Sequence, residues 1–550
     1  MTRRGKSLES IKPASISTTV GDKQGPTHFL QLISWAPVVA GFAFVGVVLL
    51  RWASITSTLY WDADAAAAPL IAEQFGRPGT GVITIAHFGW YSMLLLMDGT
   101  RDLPAHRELW QLLPYGLVIG SLSALALAVW HTRGPWGGAI FLAASVAVGP
   151  LALRSLVTPN YHTTTLINVA LLGAAIALVS SESCGYACRA VVSLPLALLT
   201  GLDVASDPLL WVVGVVPFVL AIAYGAIRFR NARGPLLVVA LATIGTIVVV
   251  DNLVREAMAA RDVSIISQPV GLTSLAHLPQ NLQTLADELV LVFGADLFGT
   301  GLEGSVSRNI VLATFVLIVF TVLAGLLGRE LLASGRTRRG RAEQVLVVYA
   351  IGAIFAISGA FALTTVGETN GGVGGGNYFL ALAVAIPLLA ALTPRSLADR
   401  AIVGCTLAIV MAFNVAGVES GYASPRAGSI ETYAPQILSA LEREHVRYGY
   451  ASYWDALPLT LHSNGSLQVA PVSQCEPPKL TLCAFQLNSA AGWYRSHPGL
   501  PSFVIVDRET LFVTVGPPGI GPWRKVIPFG PIELYISSAD VAPQILYRPS

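Results

Sequence analysis

The stretch Tyr60-Trp61-Asp62-Ala63-Asp64 follows the first long apolar segment of the chain, and the rest of the sequence is interpreted from it. Two carboxylates stand two residues apart beside two aromatic side chains. In an extended segment they would point the same way, whereas on a helix they would diverge by about 200°. Neighbouring carboxylates can divide chemical roles, because proximity pushes their pKa values apart. Asp62 and Asp64 are therefore the first candidate catalytic residues.

A structural role is the alternative for these acids. Asp64 precedes the Ala-rich run 65–68, which favours a helix, and an Asp before a helix caps its N-terminus. The aromatic flank of Tyr60 and Trp61 favours function instead, because such rings suit a sugar face or a lipid interface. From the sequence both roles remain open.

Composition indicates a membrane protein. The chain has 550 residues, of which 53% are hydrophobic and only 12% are charged. Soluble globular proteins carry roughly 25% charged residues. The net charge is +2, and no basic run is interleaved with aromatics, so nucleic acid is not an expected partner.

Apolar segments long enough to cross about 30 Å of hydrocarbon recur along the chain, and helices are the form in which they can do so. We predict eleven spans, within a transmembrane domain 31–418, at 31–50, 112–131, 135–153, 163–181, 190–206, 209–228, 234–252, 309–328, 344–365, 378–394 and 399–418. A weakly apolar piece at 81–97 is too broken for a span and is expected to lie along the interface or to re-enter. Residues 1–30 are expected to form a disordered cytoplasmic tail.

The distribution of Lys and Arg predicts the orientation. It places the N-terminus in the cytoplasm, and an odd number of spans then places the C-terminus outside a plasma (inner) membrane. The predicted outer face holds a large first loop at 52–111, a second loop at 253–308 and the polar tail 419–550. The basic cluster 335–341 is interpreted as a topology anchor at the anionic inner leaflet.

The tail 419–550 is predicted to be an extracytoplasmic α/β domain. It has an amphipathic helix at 433–446 and β-like runs at Val446–Tyr453, Leu467–Val472, Ser502–Val506, Leu511–Val515 and Ile532–Ile536. Cys475 and Cys483 can pair if this domain faces an oxidising compartment. The aromatic run ending in Tyr453-Trp454-Asp455, with His462 after it, fits either a carbohydrate surface or a buried strand.

Other polar residues near predicted membrane boundaries are secondary binding candidates. His162, at the outer mouth of a span, could bind a phosphate or orient an acceptor, and His87 is a weaker candidate of the same kind. Each histidine could equally be a hydrogen-bonded interfacial residue. Glu368 leads into the Gly-rich stretch 371–376, which is either a mobile flap over an outer cavity or a plain linker.

Asp203 and Asp207 lie in a polar break between two predicted spans. Acids at membrane depth mark a possible site. A tight turn is the alternative, with Pro208 at the first position of the next helix, and it is favoured for Asp203. No metal-ligand motif is evident, so no cofactor is predicted, although a divalent metal is left open.

With these features the chain resembles the C-type (GT-C) glycosyltransferase superfold, with the protein mannosyltransferase and bacterial envelope groups as the nearest branches. Those polytopic enzymes take a sugar from a polyprenyl-phosphate carrier, and they carry an acidic residue in a long first outer loop. At motif level the resemblance rests on Tyr60-Trp61-Asp62-Ala63-Asp64. The mannosyltransferase branch has adjacent Asp and Glu there, whereas Ala63 separates the acids in this chain.

The resemblance implies a reaction and a set of roles. Asp62 as first choice, or Asp64 as second, would deprotonate a hydroxyl of a glycan or protein acceptor, giving inversion at the anomeric carbon. Arg101, Arg107, Arg154 or Arg255 would meet the donor phosphate. The Ala-, Val-, Gly- and Arg-rich usage is typical of high-GC bacteria, where such enzymes build envelope glycans.

Two other functional classes are alternatives to a glycosyltransferase. A transporter or flippase for a lipid-linked precursor is disfavoured by few intramembrane charges and by the lack of paired broken helices in corresponding halves of the sequence. A non-catalytic envelope scaffold is the third.

Overall fold

The computed structural model describes residues 25–59, 61–86, 90–98, 107–149, 152–153, 156, 161–181, 185–266, 270–295, 306–332, 340–369, 376–421, 429–475, 481–507 and 520–547. The helices in these residues are α1 (Gly25–Leu50), α2 (Trp52–Leu59), α3 (Ala63–Ala72), α4 (Tyr91–Met97), α5 (Arg107–Arg133), α6 (Pro135–Val146), α7 (Tyr161–Ser180), α8 (Tyr186–Val204), α9 (Val216–Arg228), α10 (Arg233–Ala259), α11 (Leu278–Leu291), α12 (Val306–Leu332), α13 (Arg341–Leu363), α14 (Val366–Thr369), α15 (Leu382–Leu392), α16 (Leu397–Gly421), α17 (Ile430–Arg443) and α18 (Tyr453–His462). The strands are β1 (Ile83–Ala86), β2 (Val263–Ile266), β3 (Tyr448–Ala451), β4 (Gln468–Gln474), β5 (Leu482–Ala484), β6 (Ser489–Ala490), β7 (Ser502–Asp507), β8 (Trp523–Phe529) and β9 (Ile532–Ser537).

The chain is a mainly α-helical polytopic membrane protein with a C-terminal domain that contains a sheet. Eight helices of the described residues are long and apolar enough to cross a membrane: α1, α5, α7, α9 with the π-helical turn Trp211–Val215 before it, α10, α12, α13 and α16. Much of their surface is apolar and outward-facing, as lipid requires; Phe42 of α1 and Leu241 of α10 are both more than two-thirds exposed.

The other three predicted spans are also helical. The segment 135–153 contains α6, 190–206 falls largely within α8, and 378–394 contains α15. α6 and α15 are only 12 and 11 residues long, which is less than the roughly 20 residues of a full crossing. Every residue of α15 is buried, so this helix is covered by protein rather than by lipid.

Small residues let the membrane helices approach one another closely. A Cβ added at Gly404 of α16 would lie 2.9 Å from the carbonyl oxygen of Ile33 in α1. A Cβ at Gly41 of α1 would lie 2.8 Å from the Cβ of Ala143 in α6. Without a hydrophobic driving force between helices in lipid, such close contacts supply much of the association energy.

A three-stranded sheet joins three distant parts of the chain on one side of the membrane body. β1, from the first loop, pairs in parallel with β2, which follows α10. β1 also pairs in antiparallel fashion with β6 of the C-terminal domain. We call the membrane face that carries this sheet the domain side, and the opposite face the far side. The first loop, the second loop and the tail thus each contribute one strand to this sheet.

The segment 81–97 contains β1 and α4, separated by residues 87–89, which lie outside the described residues. The predicted second loop 253–308 contains the end of α10, then β2 and α11. The tail 1–24, the cluster 335–339 and the glycines 371–375 also lie outside the described residues.

The C-terminal domain is built on a mixed six-stranded sheet in the order β5-β4-β3-β7-β9-β8. β3 runs parallel to β4 and β7, and the remaining pairings are antiparallel. β7 is buried along its whole length, so it is the core strand. Ile437 and Leu441 of α17 pack into the core on one face of the sheet, as the amphipathic pattern predicts.

Two details of this domain differ from the sequence prediction. The predicted strand Val446–Tyr453 ends at Ala451, because Ser452 starts α18, and Tyr453-Trp454-Asp455 forms its first turn. β8 was not predicted, because its sequence contains Arg524, Lys525 and Pro528 instead of alternating apolar residues. Cys475 and Cys483 form a disulfide. The predicted strand Leu511–Val515 lies outside the described residues.

The junction between the first loop and the C-terminal domain depends on Gly492. Its backbone N–H donates to the carbonyl of Thr80 at 2.6 Å, and a Cβ at this position would lie 2.7 Å from the carbonyl oxygen of Gly79. We expect Gly492→Val to destabilise the full-length protein by about 1–3 kcal/mol through this overlap. Thermal unfolding in detergent measures the effect.

Gly185→Ala is the control for that variant, because a Cβ at Gly185 meets nothing within 4 Å. Equal unfolding temperatures for the two variants would contradict close packing at the Gly492 junction.

Candidate active site

Asp62 caps helix α3. Its Oδ1 accepts hydrogen bonds from the backbone N–H groups of Asp64, at 3.0 Å, and Ala65, at 3.3 Å. Its extended backbone, with φ −87° and ψ 130°, is typical of an N-cap. The N-cap predicted at Asp64 is instead formed by Asp62, two residues earlier, because α3 already begins at Ala63.

Asp64 points away from the cap and toward the C-terminal domain. Its Oδ1 accepts a hydrogen bond from the hydroxyl of Tyr453 at 2.8 Å. The same hydroxyl accepts a hydrogen bond from Nδ2 of Asn488 at 2.9 Å. The three side chains form a chain of hydrogen bonds from the first loop to the turn before β6, and Asn488 fixes which way the hydroxyl donates.

Asp64 is in contact with both solvent and protein. The residue is exposed to solvent, yet its carboxyl is closely surrounded by protein. Burial raises the pKa of this carboxyl above its ordinary value, and the hydrogen bond from Tyr453 partly offsets that rise. Asp64 thus keeps an exposed side, while its carboxyl is held against the C-terminal domain.

A second contact fixes the start of α3 against the C-terminal domain. The indole of Trp61 stacks on the imidazole of His462, with ring centroids 3.8 Å apart and planes 1° from parallel. The adjacent face of α3 consists of buried small residues, including Ala63 and Ala66, which let this helix lie against α18. Trp61 and His462 therefore form a second side-chain contact between the first loop and α18.

Several predicted site residues cannot be placed in this geometry. Tyr60, His87 and Arg101 lie outside the described residues. His162 is in the first turn of α7, and its side chain is outside the description. Their predicted roles in substrate binding stay predictions.

Asp207 and Asp203 are buried acceptors between helices. Asp207 accepts hydrogen bonds from the hydroxyls of Thr164 and Thr165 on α7, and from the N–H of Leu209. Asp203 accepts hydrogen bonds from three side chains, those of Trp90, Ser92 and Asn168. The bond from Leu209 to Asp207 forms the local turn before the next helix. The bonds from Trp90 and Ser92 tie α8 to the segment that contains α4, and the bond from Asn168 ties α8 to α7.

Glu368 lies in a separate cluster on the domain side. Its carboxylate accepts a hydrogen bond from the hydroxyl of Thr273, and Nδ1 of His277 lies 3.3 Å from its other oxygen. These contacts join α14 to the loop before α11, and none of the contacts described for Glu368 involves α3. Among the described residues, no group of three or more His, Cys, Asp or Glu side chains is arranged to hold a metal ion.

Sequence reasoning did not identify the partners of Asp64. Tyr453 and His462 stood out only as part of an aromatic run, and Asn488 carried no signal beyond its place in a polar turn. Asp455, in the same run, is buried and accepts a hydrogen bond from Ser452 at 2.6 Å, so it belongs to the interior rather than to a carbohydrate surface.

Three solved structures are similar to this chain. ArnT from Cupriavidus metallidurans bound to undecaprenyl phosphate aligns with 12% identity over 92% of this chain and 99% of that chain, with a TM-score of 0.49. The apo state of the same protein aligns with 13% identity over 96% and 100% of the two chains, with a TM-score of 0.38. The Archaeoglobus fulgidus oligosaccharyltransferase aligns with 14% identity over 79% of this chain and 62% of that chain, with a TM-score of 0.40.

One of these structures is, by its name, a glycosyltransferase, which is the class that the sequence resembles. No family model matches the sequence, and no curated protein matches it. These structural likenesses are distant.

Asp62 and Asp64 differ in structural role, and the capping role of Asp62 can be tested through the stability of the protein. We expect Asp62→Ala to lose the cap and to destabilise the protein by about 1 kcal/mol, whereas Asp62→Asn retains the accepting oxygen and stays close to the wild type. Thermal unfolding of the full-length protein in detergent gives both values. Equal losses for the two variants would contradict the capping role.

Proposed function

We propose that this chain is an integral membrane glycosyltransferase that moves a sugar from a polyprenyl-phosphate donor to an acceptor hydroxyl. The observation that carries the proposal is Asp64, an exposed residue whose carboxyl the C-terminal domain holds through Tyr453. A base in this position must be reachable by an acceptor and close to lipid. The short helix α2 bridges α1 to Asp62 over about 12 Å, so Asp64 lies near the end of a span.

The order of preference for the catalytic base changes with this geometry. The sequence favours Asp62, but its Oδ1 is engaged by two backbone N–H groups of α3. We assign the role of base to Asp64 and a positioning role to Asp62, which fixes the first turn of the helix. Tyr453 is a second positioning residue, because its hydroxyl sets the direction of the Asp64 carboxylate.

The proposed reaction balances on named atoms. Asp64 takes the proton of the acceptor hydroxyl as that oxygen attacks the anomeric carbon from the face opposite the phosphate. A glycosidic C–O bond forms, the bond between the anomeric carbon and the phosphate oxygen breaks, and its electron pair leaves with the polyprenyl phosphate. Configuration is inverted. The solvent-exposed side of Asp64 lets the proton leave after each turnover.

The donor phosphate needs cationic partners at the same depth. Arg255 and Arg261 lie at the domain-side end of α10 and are candidates for this role. Each is already paired: Arg255 lies 3.0 Å from Asp251, and Arg261 lies 3.0 Å from Asp98. Arg101 remains a candidate by prediction. In this proposal the domain side is the extracytoplasmic face of a bacterial inner membrane, and the acceptor is an envelope glycan or protein.

Asp64→Asn tests the proposed base. We expect transfer of labelled sugar from a polyprenyl-phosphate donor, in membranes that contain the full-length protein, to fall by about a hundredfold or more, because general base catalysis typically contributes 10²–10⁴-fold. Asp62→Asn, two residues away, is the matched control and should keep most of the activity. Full activity in Asp64→Asn would remove the assignment.

The pH profile tests the hydrogen bond from Tyr453. A base acts when deprotonated, so activity is lost as pH falls through the pKa of Asp64. The hydroxyl of Tyr453 lowers that pKa, so Tyr453→Phe should move the acid limb of kcat/KM to higher pH.

Tyr535→Phe is the control for this profile, because it also removes a tyrosine–carboxylate hydrogen bond, of 2.6 Å to Glu533, but on β9. An acid limb that moves equally in both variants, or in neither, would contradict the link between Tyr453 and Asp64.

A further inference from the structure

A basic pocket lies on the far side of the membrane body, at the opposite end of the helices from Asp64. It has a volume of about 620 Å³ and is lined by Tyr224, Ile227, Arg228, Phe229, Arg230, Asn231 and Arg341. It lies where α9 ends, where the link to α10 turns back and where α13 begins. Helix α10 runs from this turn to β2 over about 40 Å, so the pocket is remote from the proposed active site.

The pocket lining has a strong charge bias. Three of its seven residues are arginines and none is acidic. The Phe229 ring lies near two guanidinium groups, with its centroid 6.0 Å from Cζ of Arg228 and 5.2 Å from Cζ of Arg341. These cation–π contacts hold the two cations at the rim of one cavity, where a shared anion can be reached by both.

Other arginines on the same face are neutralised by acids. Arg395 lies 2.8 Å from Glu343, which also lies 3.7 Å from Arg133. Arg329 lies 2.7 Å from Asp399. Arg228 and Arg230, in contrast, have no carboxylate within 4.0 Å among the described residues, and both are exposed. Arg228 and Arg230 thus give this pocket positive charge that no carboxylate of the described residues contacts.

We propose that this pocket binds a phosphate-bearing anion. Guanidinium groups match phosphate oxygens as paired donors, and clustered arginines give more than one such contact. Ile227, which lines the pocket, is 81% accessible and lies at the end of a segment long and apolar enough to cross a membrane, so an acyl chain could lie beside a bound headgroup. The inference is independent of the proposed transferase activity, because it uses none of the residues around Asp64.

The test uses the full-length protein and two probes. Phosphatidylglycerol binding, with phosphatidylcholine as the neutral comparison, is measured by native mass spectrometry, and inorganic phosphate binding by calorimetry in detergent. We expect the double variant Arg228→Ala with Arg230→Ala to weaken binding about tenfold. Arg233→Ala is the matched control, since Arg233 is exposed on the same face but does not line the pocket.

The two arms separate the sources of the phosphate. Preference for phosphatidylglycerol that is lost in the double variant identifies a lipid headgroup, and binding of inorganic phosphate with the same dependence identifies a soluble ligand. If the double variant does not fold, Arg341→Gln carries the same expectation. Absence of binding to either probe by the wild type, or equal binding by the pocket variants and Arg233→Ala, overturns the proposal. Sugar transfer assayed alongside reports on Asp64 separately.

Discussion

The hydrogen bond between Asp64 and Tyr453 is the contact on which the candidate site depends. It joins a short helix that follows the first membrane span to a helix of the C-terminal domain, 389 residues further along the chain. The stacking of Trp61 on His462 and the pairing of β1 with β6 act over the same junction. Together these contacts fix the first loop against the C-terminal domain.

This junction explains why the two neighbouring carboxylates differ. Asp62 accepts hydrogen bonds from backbone N–H groups at the N-terminus of α3, while Asp64 accepts a hydrogen bond from Tyr453. The backbone is extended at Asp62 and helical from Ala63 onward, so the two side chains reach different partners. One carboxylate thereby supports the local fold, and the other is left at a protein surface that a substrate can approach.

Much of the architecture could be predicted from the sequence, because it depends on local signals. The long apolar runs correspond to helices, and the drop in apolar content after residue 418 corresponds to a domain with a sheet. The strands β1 and β2 were not predicted, because four residues carry too little alternation to stand out. The partners of Asp64 could not be predicted, since no local pattern records a contact between residues so far apart. The cap was assigned to the wrong acid because α3 begins at Ala63, two residues before the Ala-rich run 65–68.

The sheet formed by β2, β1 and β6 also bears on biogenesis. Its strands come from segments separated by most of the membrane helices, and all of them must be on the same side of the bilayer before they can pair. During synthesis the first loop emerges long before β6 is translated, so this sheet cannot be completed until the C-terminal domain has been made. If the proposed function holds, activity would then be confined to the full-length chain, and a growing chain could not act on lipid carriers while it is still being inserted.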